Sequence, residues 1–487
     1  MTVSLALVGF FGIWGLIAPA GMTSAATGAV SAVLSSVGWL YLLLTTSFLV
    51  LSAWLALGPY GSIKLGPDDS EPEFSTVSWL AMLFAGGMGA GLVFWGVAEP
   101  VSHFAFPPGT TEASSSESAR LAMVLANLHW GFHAWSIYGV CALVIGYFMF
   151  RRSMPGLVST PIRASLPHSK TTRVLGFTAD IIGVFAVVFG LAGSLVLGVL
   201  QVRAGLSQVF NIPATDAVSL AILGVVVVAF MISASTGLGQ GIKILSNVNM
   251  AIAISLMLFV LVAGPTAYLM ESFVNSVGDY FSHLVAYSFR LLSYEGQMDW
   301  TSGWTLTYLI WWVAWGPFVG VFIARISRGR TIREFCMGVI LVPTLFSILW
   351  FSVMGGAGIW DELEGGGGLA GLVAEDVSTA LFALPAGVVL NMLAVLLVFI
   401  FLVTSADSGT FVVSMMSSEG SLEPSTRLKL VWGVAIAALT VSILVAGSVD
   451  VAKAMAVFGA LPFTLIIVIQ IVGFLRAIRQ ENPGGEA

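Results

Sequence analysis

Charge is what this sequence has least of. Only 9% of its 487 residues are Asp, Glu, Lys or Arg, while 57% are hydrophobic, against about 25% charged residues in an ordinary soluble domain. Mean hydropathy is +0.98. So little charge excludes a water-soluble body of this length. The net charge of -6 says little about partners, because position matters more than sum in a membrane protein; no nucleic-acid partner is expected. Cysteine is nearly missing too. Cys141 and Cys336 lie far apart in apolar segments, which supports neither a disulfide framework nor a cysteine metal site. The opening "MTVSLALVGFFGIWGLIAPAG" lacks the basic stretch of a signal peptide and reads as a first span. No catalytic constellation appears, so an enzyme is not expected.

What the chain does have is long apolar runs. Stretches long enough for about 20 helical residues lie near 2–20, 34–58, 76–97, 120–150, 178–204, 216–236, 244–269, 303–325, 333–356, 378–417, 428–447 and 451–476. The reading is an all-α polytopic protein of the cell membrane, with twelve transmembrane helices in the bilayer and both termini cytoplasmic. Fifteen of the 19 Lys and Arg then fall in cytoplasmic connections or the tail, Arg151, Arg325 and Lys429 among them. That bias fits the positive-inside rule. The segment Glu271 to Gly296 mixes aromatics and charges at helical spacing, which predicts an amphipathic helix on the membrane surface.

Two spans carry an oddity at a similar depth. The third is interrupted by "AGGMGAG", Ala85 to Gly91, and the eighth by Gly316-Pro317. Paired interruptions point to a transporter site built from broken helices; the plainer reading is close helix packing at small residues. The chain divides accordingly into two helices and a loop (1–75), a five-helix repeat (76–270), the surface helix (271–302), an inverted second repeat (303–476) and a short tail (477–487).

Aromatic residues cluster beside these interruptions. On a continuous helix, Trp311, Trp312 and Trp315 share an arc of about 100°, and Trp130, Trp135 and Tyr138 one of about 140°. Both clusters lie well inside their spans, where an aromatic belt at the lipid interface is not expected. The reading is a cage for a quaternary ammonium, which cannot donate an N–H hydrogen bond and is held by ring faces at about 0.5–2 kcal/mol each. A carboxylate at such a site would also admit small protonated amines and metal ions, whereas aromatics alone select for the soft cation. Backbone N–H groups freed at Gly89, Ala90 and Gly91 suit an anionic end of the same molecule. Val93, one turn on, is expected to face lipid.

Together "GMGAGLVFWGVAEP", "LHWGFHAWSIY", "WWVAWGPFVGVFIARISRGRTIREF" and "VTSADSGTF" resemble the betaine/choline/carnitine transporter family over essentially the whole chain. The resemblance implies the LeuT-like five-plus-five inverted repeat (spans 3–7 and 8–12, after two extra helices), a homotrimer, and an onium substrate such as glycine betaine, choline or carnitine. It places Trp130, Trp135, Tyr138 and Trp312 in the cage, and Trp311 and Trp315 along the inward path. It also implies a sodium ion held by the carbonyls of Ala85 and Met88 with the hydroxyls of Thr404 and Ser405, Asp407 being nearby. Hydroxyls back-bonded to their own helix are the plainer account of Thr404 and Ser405.

Where a sodium-independent exchange branch of the family carries an arginine in span seven, this chain reads Asn249-Met250, which favours sodium-coupled symport. At a second family sodium site, Val187 and Leu191 stand where hydroxyls are expected, beside Phe318, and Ser194 lies one turn on. One sodium per substrate is therefore expected. Glu99 ends span three, and His129 and His133 are read as structural. The tail carries only Arg476 and Arg479, against a long basic extension in osmosensing members, so strong regulation by the tail is not expected.

Overall fold

The computed structural model describes residues 2–87, 89–236, 239–384, 387–421 and 423–481, without the side chains at 81, 84–87, 236, 239–244 and 246. The described residues form helices and loops joined by one isolated antiparallel bridge, Lys64 to Thr331. In chain order the helices are α1 Thr2–Ile17, α2 Pro19–Leu57, α3 Thr76–Gly87, α4 Ala90–Ala105, α5 Ser116–Trp130, α6 Phe132–Gly146 and α7 Thr160–Ser165. There follow α8 Lys170–Phe210, α9 Asp216–Thr236, α10 Gly239–Ala263, α11 Thr266–Tyr287 and α12 Met298–Thr301. The last six are α13 Thr307–Ile326, α14 Ile332–Glu364, α15 Leu369–Glu375, α16 Val388–Ser417, α17 Thr426–Val445 and α18 Val449–Ile478.

Among the described residues, nine helices are long and apolar enough to cross a membrane, or ten if the bent pair α10 and α11 is one span. The sequence runs map onto these helices with two shifts. The first run breaks earlier than expected, at Ala18, and α2 continues through the expected first loop to Leu57, leaving helical geometry only at Val37. Its expected span, 34–58, is the second part of that long helix. The tenth run starts its helix only at Val388, after a short turn at Val377–Thr379 and a positive-φ Gly387.

The surface segment forms as a helix but starts earlier, at Thr266, after Gly264-Pro265 turns the chain by 115° from α10. Proline cannot continue the helix's hydrogen bonding, so the turn falls there. Asp279 of α11 takes a bidentate pair from Arg120 of α5. At another place the basic loops gather: Arg325 grips Glu73, Arg151 bridges Asp68 and Glu481, and Arg330 lies 4.0 Å over the Trp79 ring. The bound guanidiniums hold the Glu73 and Asp68 carboxyls below the usual carboxylate range.

Apolar side chains from nearly all helices form one continuous core. Helix α8 runs through it against α16 and α18, and α13 lies against α6 and α18. All of these but α18, together with α4, α5 and α9, surround the cavity described next.

Candidate functional site

A cavity of about 870 Å³ lies between α4, α5, α6, α8, α9, α13 and α16. Its wall follows α13 from Tyr308 through Trp311, Trp312, Trp315 and Phe322 to Arg325, about 25 Å at 1.5 Å per helical residue. Phe74 and Lys429 line it as well, so it extends from an aromatic end to the end where the basic loops gather.

At the aromatic end four expected cage residues come together. Trp312 lies 5.3 Å from Trp130, 4.8 Å from Tyr138 and 6.1 Å from Trp135, ring centre to ring centre. The close pairs are edge-to-face, the favoured geometry for aromatic quadrupoles. Trp130, Tyr138 and Trp312 line the cavity; Trp135, fully buried, does not, and packs behind Tyr138 and Trp312. Trp311 and Trp315 line the wall beyond the cage, Trp315 against Phe318 at 5.4 Å. Tyr308, four residues before Trp312, also lines the cavity and meets Trp130 at 5.7 Å. Its signal in the sequence was this one-turn spacing.

The helix breaks differ from the expected pair. The first is present: α3 ends at Gly87, Gly89 is extended and α4 starts at Ala90. Gly89, Ala90 and Gly91 line the cavity, and a Cβ on Gly91 would sit 3.1 Å from the Trp130 ring. The second is absent, because α13 continues through Gly316-Pro317. There the glycines serve packing: a Cβ at 316 would lie 3.0 Å from Cys141 Sγ, and one at 320 would lie 3.1 Å from Cys141 Cβ. Close support from α6 holds the helix although proline removes one hydrogen bond.

A break does occur in the other aromatic cluster. Gly131, at φ -100° and ψ -133°, separates α5 from α6, directly after Trp130. The backbone N–H of Phe132 donates to the Tyr280 hydroxyl of α11 at 2.9 Å. Satisfying that buried donor is what permits a break so deep in the core. The arc computed for a continuous helix over 130–138 therefore does not apply; Trp130 belongs to one helix and Trp135 and Tyr138 to the next.

Behind Trp130 lies a buried polar group. The indole Nε1–H donates to Glu99 Oε2 at 2.7 Å, and His129 Nδ1 faces Glu99 Oε1 at 2.6 Å. His129 Nε2 meets the Thr305 hydroxyl at 2.9 Å, and its ring stacks on Tyr308. His103 Nε2 lies 3.4 Å from Glu99, completing a triad with ligand types suited to a metal. An ion with bonds near 2 Å keeps tetrahedral ligands more than about 3 Å apart, so the 2.6 Å contact is a hydrogen bond. His133, in contrast, lies 3.4 Å from the Thr46 hydroxyl, apart from the Glu99 group.

The polar residues of α16 share the cavity. Thr404, Ser405 and Asp407 line it, and the Asp407 carboxylate accepts from the Ser233 hydroxyl at 2.5 Å. The Thr404 hydroxyl donates to the Ile400 carbonyl at 2.9 Å, which leaves its lone pairs open. Of the expected carbonyl ligands, Ala85 belongs to the last turn of α3, and Met88 lies outside the described residues. Leu191 and Ser194 both line the cavity beside Phe318, whereas Val187 is buried away from it. Val93 does not face lipid: it is 2% exposed, because every residue of α4 from Leu92 to Val101 is buried.

The whole constellation has relatives. The family model for betaine/carnitine/choline transporters matches residues 1–483. The chain is 43% identical to an ectoine/hydroxyectoine transporter of Virgibacillus pantothenticus, over 92% of this chain and 90% of that protein. It is 42% identical to the glycine betaine transporter OpuD of Bacillus subtilis, over 96% and 92%. A probable glycine betaine transporter of Desulfitobacterium hafniense is 37% identical over 99% and 97%. An aromatic-ended cavity inside a bundle of membrane-length helices is thus found in a chain that matches one transporter family from end to end, and the protein belongs to the betaine/carnitine/choline transporter family: it is a multi-pass membrane transporter and not an enzyme.

Proposed function

We propose that this protein is a sodium-coupled symporter for a methylated-onium zwitterion, with glycine betaine as the preferred substrate. The observation that carries the reading is the set of rings of Trp130, Tyr138 and Trp312 that line the aromatic end of the cavity. A trimethylammonium group fits such a box and gains cation–π attraction there. The carboxylate end would meet the N–H groups at the start of α4, beside Ala90 and Gly91. A twelve-span, LeuT-like plan is part of this reading, in which the cavity's extension to Arg325 and Lys429 would serve as the inward path.

Sodium would sit between the α3–α4 break and the hydroxyls of Thr404 and Ser405. The absence of a basic side chain at Asn249 and Met250 supports an ion rather than a fixed cation. One sodium per substrate follows from Leu191, whose isobutyl group offers no oxygen on the wall. Ser194 on the same wall is the one competing donor. Uptake into proteoliposomes should rise with sodium along a hyperbola, and the double substitution Thr404→Ala, Ser405→Ala should remove that dependence. A sigmoidal curve would bring in Ser194 and a second ion; accumulation without sodium would reject the coupling.

The similarity to a protein named an ectoine/hydroxyectoine transporter favours a second substrate reading, since ectoine is also a zwitterion with a delocalised cation. Competition by ectoine, choline and carnitine against labelled glycine betaine ranks them directly.

A further inference from the structure

A substrate cation in a wholly neutral box would be held by ring quadrupoles alone. The structure has a carboxylate one indole behind that box. Glu99 is fully buried, and its Oε2 accepts from Trp130 Nε1–H at 2.7 Å while Oε1 faces His129 Nδ1 at 2.6 Å. A neutral imidazole meets both of its contacts: Nδ1–H donates to Glu99, and Nε2 accepts from the Thr305 hydroxyl. In that arrangement the bond to His129 leaves the negative charge on the carboxylate.

We propose that Glu99 is a specificity-determining residue, a screened counter-charge that acts on the substrate cation through Trp130 without touching it. Two effects combine. A hydrogen bond to an anion polarises the indole and raises electron density on its face, which strengthens cation–π attraction. The charge itself attracts a cation across a medium of low dielectric. Glu99 is fully buried and does not line the cavity, and Trp130 stands between, so its oxygens offer a ligand no direct contact. A primary ammonium or a metal ion, which needs direct oxygen contacts, gains little; a methylated cation, which needs none, gains the field. Glu99 thus supplies negative charge without the promiscuity of an exposed carboxylate.

This inference rests on the onium reading, and the test separates the two. Purified transporter in detergent is titrated with labelled glycine betaine, and with 3,3-dimethylbutanoate as competitor, the same shape with carbon in place of the charged nitrogen. Glu99→Gln, which keeps an oxygen acceptor for Trp130 but removes the charge, should weaken glycine betaine about tenfold and leave dimethylbutanoate affinity unchanged. Equal loss for both ligands would make Glu99 a packing residue, and no loss for glycine betaine would remove it from binding; either overturns the proposal. If the glutamine variant fails to fold, Trp130→Phe, which keeps a ring but breaks the link to Glu99, must lower the betaine-to-dimethylbutanoate affinity ratio, and an unchanged ratio is contrary. If wild type prefers dimethylbutanoate, which lacks the cation, the onium reading itself fails.

Discussion

Two of the places where this chain puts a glycine directly after a tryptophan meet opposite fates: Trp130-Gly131-Phe132 and Trp315-Gly316-Pro317. The one followed by proline stays helical, and the one without it breaks. Propensity alone would rank them the other way, because proline costs about 3 kcal/mol inside a helix. The difference lies in the neighbours. Beside Gly131 a hydroxyl from Tyr280 waits for the N–H that the break releases. Beside Gly316, Cys141 fills the space and α6 supports the helix. A break in a buried helix needs a partner for what it frees more than it needs a weak residue at the breaking point.

That comparison can be broken by substitution. The largest effect is expected for Gly131→Ala, whose Cβ would run into the Asn127 carbonyl and the Tyr280 hydroxyl. Neither can yield without moving α5 against α11, so transport should be lost although the protein still reaches the membrane. Normal uptake by this variant would show that the break tolerates a side chain. A smaller effect is expected for Tyr280→Phe, which leaves the Phe132 N–H unpaired at a cost of about 1–3 kcal/mol. Thermal stability should fall and glycine betaine binding weaken severalfold; unchanged values for both would mean that the hydroxyl does not hold the break. The smallest belongs to Gly316→Ala. Only the Cys141 sulfur need shift, at about 1 kcal/mol or less, so uptake should stay within about twofold of wild type, and adding Cys141→Ala should restore any loss. A severe defect that Cys141→Ala does not relieve would mean that the glycine does more than pack.

The same contrast explains what was legible in the sequence. The Ala85–Gly91 interruption could be read because several small residues in a row exceed what one packing face needs. Gly131 could not be distinguished from a packing glycine, since its partner Tyr280 lies on another element, far along the chain. The indoles of the cage were legible by residue type and spacing within helices. Trp135 was assigned to the wall although it lies behind it, because adjacency on a helix does not tell which ring reaches the cavity. Glu99 was visible only as the end of a span; its bond to Trp130 joins α4 to α5 and leaves no periodic trace. Val93 was misplaced for a similar reason, since hydrophobicity cannot distinguish lipid from protein interior in a membrane protein.

The central claim is that the edge-to-face rings around Trp312 bind a methylated cation. Its most direct test is equilibrium binding of labelled glycine betaine to purified wild type and Trp312→Leu, with folding checked by thermal melting of each. Losing one desolvated cation–π partner, worth about 2 kcal/mol, should weaken binding about thirtyfold in a protein that melts normally, with Trp312→Phe falling between the two. Equal affinity in wild type and a folded leucine variant would contradict the cage.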